Sequence, residues 1–256
     1  EKWLPDTMTL FDYYVQNGYI RADEAQGGFH PYLHGGVTYD TRDRQQNPTR
    51  GIHADAFLTY YAGLGDMEAY NNLKLNLGFR QYLSLYTDRL ILAYRFGAQL
   101  NMAGDCPFYL NTYLNQLYMQ RVIYEGLGGA NSVRGIMRNR ILAPGVAFAN
   151  IELRTRVASL KVGKNMFYLG LVPFLDAGMV VQPYDRVSHN PHVVGPGAEI
   201  GYADDGGLYR PHLGGGLGLK IAMNDNFVLS VDWATAFDKQ DNGKFSNLYI
   251  KMGYMF

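Results

Sequence analysis

Nine segments of about ten residues alternate apolar and polar side chains with a period of two. Leu33, Gly35, Val37 and Tyr39 alternate with His34, Gly36, Thr38 and Asp40. Ile52, Ala54, Ala56, Leu58 and Tyr60 alternate with His53, Asp55, Phe57 and Thr59. Leu73, Leu75, Leu77 and Phe79 oppose Asn72, Lys74, Asn76 and Arg80. Leu90 to Leu100 carries Arg95 and Gln99 on its polar side, and Ala149 to Val157 carries Asn150, Glu152, Arg154 and Arg156. Phe167 to Met179 carries Tyr168 and Asp176, Leu213 to Ile221 carries Gly214, Gly216 and Lys220, and Phe227 to Trp233 carries Ser230 and Asp232. In the last segment Leu248, Ile250, Met252, Tyr254 and Phe256 oppose Asn247, Lys251 and Gly253. That period belongs to β-strands with two unlike faces, and ten residues is the length a tilted strand needs to cross a bilayer.

Alternation suits a sandwich as well as a membrane barrel, and the connections separate them. Leu83 to Thr87, Leu160 to Asn165 and Met223 to Asn226 are tight; Ala103 to Pro144 and Val181 to Tyr209 are long. Short turns at one end and long loops at the other describe an outer-membrane barrel. The expected fold is therefore all-β, a transmembrane antiparallel β-barrel of nine or ten strands over residues 32–256. A tenth strand is expected within Thr9 to Ile20, inside a poorly patterned segment, residues 1–31. Abundant glycine and tyrosine with few charged residues fit aromatic girdles and close strand packing.

Several classes fall away. The most apolar stretch, Met166 to Val181, contains Pro173 and Asp176 and is too short for a spanning helix. Glu1-Lys2-Trp3-Leu4-Pro5 opens no signal-peptide pattern, so an exported protein would carry this chain as a mature form or a fragment. Lysine plus arginine balances aspartate plus glutamate, which argues against nucleic acid as a partner. The single cysteine, Cys106, permits no internal disulfide, and no C-x-x-C, G-x-S-x-G or H-E-x-x-H motif occurs. His30, His34 and His53 near Asp40 and Asp55 do not by themselves make a metal site. Neither an enzyme nor a cofactor is expected. Leu110 to Tyr124 has the spacing of a short helix, placed to cap or enter the lumen.

The longest loop holds Gly128-Gly129-Ala130-Asn131-Ser132-Val133-Arg134-Gly135-Ile136. An arginine folded into a low-dielectric lumen needs a carboxylate partner. The next two strands offer Glu152 and Asp176 on their polar faces. Neighbouring strands lie about 5 Å apart, so one guanidinium can bridge both.

Val133-Arg134-Gly135 after a glycine-rich lead resembles the signature loop of the BamA superfamily of outer-membrane assembly and translocation barrels, with Ile136 where the family carries an aromatic. Tyr39-Asp40-Thr41-Arg42-Asp43 followed by Asn47-Pro48-Thr49-Arg50-Gly51 is similar to the family's strand–turn–strand ahead of that loop. The resemblance covers roughly residues 32 to 256 and implies that Arg134 tucks inside the barrel against Glu152 and Asp176. The family barrel has sixteen strands, of which this chain matches the last nine; it is either the C-terminal part of a larger barrel or a shortened one. The family's periplasmic POTRA domains have no counterpart in these residues.

Tyr254 and Phe256 resemble the C-terminal signal by which new barrels are recognised for assembly, with Gly253 displaced and Lys251 in the usual glycine position. Implied partners are the lipid bilayer of a Gram-negative outer membrane, client outer-membrane proteins and accessory subunits. The implied action is protein insertion or translocation through a seam between first and last strands. A barrel anchoring or exporting a fused N-terminal enzyme domain, and a plugged diffusion pore, remain as alternatives.

Overall fold

A computed structural model describes residues 8–65, 70–113, 125–184, 210–224, 227–238, 241 and 248–256. Nine strands form one antiparallel sheet in sequence order. They are β1 (Tyr32–Asp40), β2 (Gly51–Tyr61), β3 (Asn72–Tyr86), β4 (Leu90–Gly104), β5 (Gly145–Val162), β6 (Asn165–Gln182), β7 (His212–Met223), β8 (Phe227–Ala236) and β9 (Leu248–Met252). Each corresponds to one of the nine period-two segments. No helix among the described residues is long and apolar enough to cross a membrane.

The sheet is strongly curled. Phe256, beyond β9, packs against Tyr82 in β3, six strands away in sheet order. The concave face is polar and buried, with Asn76, Arg95, Glu152, Asp176, Lys220 and Asp232 all nearly inaccessible. The convex face is apolar and exposed, with Leu33, Leu58, Ile151, Leu175, Leu219, Trp233 and Ile250 uncovered. This inverts the soluble arrangement, in which apolar side chains leave water. Among the described residues β1 and β9 pair with one neighbour each, and the sheet does not close between them.

At one end the links are minimal: Thr87 to Arg89 joins β3 to β4, and Gly163–Lys164 joins β5 to β6. Thr87, Asp88 and Gly163 take the positive φ such tight turns require. The β1–β2 link at this end is longer and self-braced. Asp43 accepts from Thr49 N (2.9 Å), Thr49 Oγ1 (2.7 Å) and Arg50 N (3.2 Å). Asn47 reaches across the concave face to donate to Tyr168 Oη in β6 (2.8 Å). The long connections all lie at the other end.

Two expectations are corrected. The tenth strand sought in Thr9 to Ile20 is instead a helix, α1 (Leu10–Gln16). Thr9 and Asp12 exchange side-chain and backbone hydrogen bonds as a capping box, satisfying amides that begin a helix. The last strand does not run to Phe256. It stops at Met252, where Gly253 at φ +90° turns the chain inward, and Tyr254 and Phe256 leave the convex face for the concave one. In Leu110 to Tyr124 only the start is described: Phe108–Thr112 is a 3-10 turn, and residues 114–124 lie outside the described residues.

Candidate functional site: a loop latched to the concave face

Residues 125–144, which lead into β5, fold back over the concave face. A bridge between Leu127 and Ile141 closes the base, with N–O distances of 3.0 and 3.1 Å. Gly128, Gly129 and Gly135 have φ of +108°, +109° and +92°, which explains the glycines around the arginine. Beneath lies an apolar patch of Leu127, Val133, Ile136, Val146, Phe148 and Val180. Ile136 is thus buried in the apolar floor.

Irregular backbone in a dry interior must find partners for its carbonyls. Three successive ones are met from three strands. Lys251 Nζ in β9 donates to Ala130 O (3.2 Å), Arg95 Nη2 in β4 to Asn131 O (2.7 Å), and Asn150 Nδ2 in β5 to Ser132 O (2.7 Å). Tyr249 Oη in β9 accepts from Gly135 N (3.0 Å).

Arg134 is fully buried. Its Nε and Nη2 grip Asp176 through Oδ2 (2.8 Å) and Oδ1 (3.1 Å), and its own amide donates to Oδ2 (3.0 Å). Nη1 lies 2.9 Å from Glu152 Oε1 and 3.2 Å from Asp232 Oδ2. The guanidinium carbon sits 3.5 Å from the Phe174 ring centroid. Room for it comes from β7: register pairs Phe174 with Gly216, over which its ring lies, and Asp232 with Gly218. The glycine run of β7 is therefore a close-packing surface.

The carboxylates have second partners. Lys220 Nζ is hydrogen-bonded to Asp232 Oδ1, and Arg154 Nε donates to Glu152 Oε2 (2.9 Å). Arg134, Arg154 and Lys220 thus face Glu152, Asp176 and Asp232, three charges of each sign. A buried network of this kind holds only if each member is paired; removing one partner costs about 3–5 kcal/mol. The structure brings together Val133, Arg134, Gly135, Glu152 and Asp176. Asp232 and Lys220 complete the cluster; the sequence puts them on polar strand faces but does not connect them with the loop. Their signal was faint: single charges on the polar sides of β8 and β7, with nothing to say that they share the loop's level.

Other singled-out residues lie elsewhere. His53 Nδ1 is 3.2 Å from Asp55 on the concave side of β2, and His30 Nε2 is 2.6 Å from Tyr109 Oη. No group of three or more metal-ligating residues converges among the described residues. Cys106 is buried, its Sγ 3.1 Å from Asn111 Oδ1. Tyr254 packs beside Tyr168, Ala222 and Val228, and Phe256 joins Tyr82, Ile91, Ala93 and Met255.

Comparison with curated proteins gives no match. The model of the Omp85 superfamily domain matches residues 10–256, nearly the whole chain. The curled antiparallel sheet, its exposed apolar face and the match lead to one assignment: the chain belongs to the Omp85 superfamily, the group to which its Val133-Arg134-Gly135 loop bears the resemblance.

Proposed function

We propose that these residues form the wall of an outer-membrane β-barrel that inserts or translocates polypeptides without covalent chemistry. Superfamily membership supports this at the coarse level. The exposed apolar convex face suits lipid, and the filled concave face argues against an open diffusion pore.

One observation carries the reading: the edge strand β9, Leu248–Met252 among the described residues, is held from inside by the arginine loop. Tyr249 and Lys251 of β9 bind Gly135 and Ala130, on either side of Arg134. An edge strand presents unpaired backbone groups that can template an incoming strand. An edge clamped by a buried ionic latch is a defined place for that pairing to begin. Arg134, Glu152, Asp176 and Asp232 then fix the wall beside the seam. Tyr254 and Phe256 serve the chain's own assembly.

The test is reconstitution. The chain is placed in lipid vesicles, a urea-unfolded β-barrel client is added, and its heat-modifiable folded form is followed in time. Folding should be faster than in vesicles alone or in vesicles holding an unrelated barrel. Equal rates in all three would sink the proposal.

A further inference from the structure

At the tight-turn end two strand links are minimal, but the link from β1 to β2, residues 41–50, is ten residues long. Hairpin links usually take about two to five residues. This one is a body of its own. Thr41 and Ile52 close its base, Thr41 N donating to Ile52 O (2.8 Å) and Ile52 N to Thr41 Oγ1 (3.0 Å). Arg42 grips both oxygens of Asp40 through Nε (2.9 Å) and Nη2 (2.8 Å), and its Nη1 donates to Gln45 O (3.2 Å). Asp43 ties the returning limb at Thr49 and Arg50. Gly51, at φ +109°, makes the bend where the link rejoins β2, so tight that a Cβ would strike the Thr41 main-chain oxygen.

The tip of this body enters the concave face. Asn47, Pro48 and Thr49 are buried, whereas Gln45, Gln46 and Arg50 on either side are exposed. Asn47 Nδ2 donates to Tyr168 Oη of β6 (2.8 Å), four strands from β2 in sheet order. Tyr168 is itself fixed. Its hydroxyl lies 3.3 Å from that of Tyr254, and the Arg156 guanidinium carbon sits 4.5 Å from its ring centroid. The link therefore crosses the concave face from one side of the curled sheet to the other. The bonds that shape it are internal, and the described tie between its tip and the far wall is one neutral hydrogen bond. A braced body on so modest a tie has two positions, docked and swung out, that differ little in free energy.

We infer that residues 41–50 are a strap that closes the tight-turn mouth of the concave channel and swings out as one body, pivoting at Arg42 and Gly51. Hinges of this kind lie at the ends of elements and absorb the backbone change there. Swinging out breaks the Asn47–Tyr168 bond and uncovers Tyr168 and Tyr254, while the bonds made by Asp40, Thr41 and Asp43 persist. Docked, the strap denies an unfolded polypeptide the concave face from this end. That gating rests on the proposed function; the opening itself does not.

Opening is read by thiol labelling of the full chain in lipid nanodiscs. Thr49→Cys is placed in a Cys106→Ser background and treated with a water-soluble maleimide. Thr49 is 1% exposed, so labelling follows opening. Asn47→Ala and Tyr168→Phe should each raise the labelling rate about fivefold, the weight of one net hydrogen bond. Together they should raise it no further, because both remove the same bond. Native Cys106, at the long-loop end, should label no faster in Asn47→Ala than in the wild type. Unchanged labelling at Thr49→Cys overturns the inference, and so does a matching rise at Cys106, since the whole fold has then loosened. Gating is read by client folding in vesicles. Asn47→Cys and Tyr168→Cys, again with Cys106→Ser, are joined by a short bismaleimide containing a cleavable disulfide. The joined chain should fold the client no faster than empty vesicles do, and reductant should restore the rate. A joined chain as fast as the unjoined one overturns the inference. An unjoined chain that speeds no client folding, with the labelling pattern intact, removes the proposed function and leaves the strap standing.

Discussion

The main-chain oxygen of Arg134 rests directly on Gly214 of β7, where a Cβ would collide with it. Gly214 is the register partner of Asp176, so the residue that grips the guanidinium and the one that admits the backbone lie side by side. Backbone cannot yield as a flexible side chain can. Gly214→Ala should therefore lift the loop and destabilise the fold by about 1–3 kcal/mol, the usual cost of overpacking. Gly35→Ala, with open space around its Cβ, is the matched control. Urea midpoints and protease cleavage within residues 125–144 measure both; equal behaviour of the two variants would show that the close approach carries no weight.

Asp176 takes three hydrogen bonds from Arg134, whereas Asp232 is shared between Arg134 and Lys220. Asp176→Ala is expected to cost about 3–5 kcal/mol, since it strands a buried guanidinium. Arg134→Lys should not substitute, because an ammonium cannot grip both oxygens of Asp176 while reaching Glu152. A double-mutant cycle of Arg134→Ala with Asp176→Ala isolates the coupling in unfolding experiments. A coupling near zero would mean that the loop is held by its carbonyl contacts to Lys251, Arg95 and Asn150 instead.

The nine strands and their faces were legible because a half-buried strand writes its geometry into the sequence with period two. The ends were not. Nothing in Tyr254-Met255-Phe256 reveals that the chain turns at Gly253, because the same alternation is compatible with another strand pair. Thr9-x-x-Asp12 was a readable start for α1, yet its tyrosines drew the reading towards a strand. Glu152 and Asp176 were accessible as polar positions in the two strands after the loop. Asp232 is an equally legible polar position, but its place beside Arg134 is not, because which distant carboxylate comes level with a loop depends on register and curl, and neither is local.

The convex face makes its own demand. Ile151 sits at mid-strand in β5, exposed, between the buried Asn150 and Glu152. If that face meets lipid, Ile151→Arg should cost about 2–4 kcal/mol at the bilayer midplane. In a soluble sheet the same change would be close to neutral. Folding yield into vesicles, read from heat-modifiability, distinguishes the two. An undiminished yield would remove the membrane from the account of this face.

The segment before β1 covers the long-loop end, and Glu24 is its anchor. Fully buried, it accepts from Phe108 N (2.7 Å) and Tyr184 Oη (3.0 Å), while Arg21 pairs with Asp105 at 3.2 Å and Asp23 takes the Tyr70 hydroxyl. Burial raises the Glu24 pKa above the ordinary carboxylate range, against the lowering pull of Phe108 N, Tyr184 and Arg21. The sign follows: the docked state holds the proton more tightly than the free segment. Docking is therefore firmest below the ordinary carboxylate pKa and weakens as pH rises through the raised value. Cys106, the only cysteine in the chain, is buried two residues from Phe108 and reports this through its rate of alkylation. The ratio of wild-type to Glu24→Gln rates, taken at equal pH, cancels the thiol's own titration. That ratio should climb from acid to neutral pH, by at most about tenfold for each unit by which burial raises the pKa. A ratio that stays flat would show that the Glu24 carboxylate loses nothing on docking, and that its hydrogen bonds fully replace water.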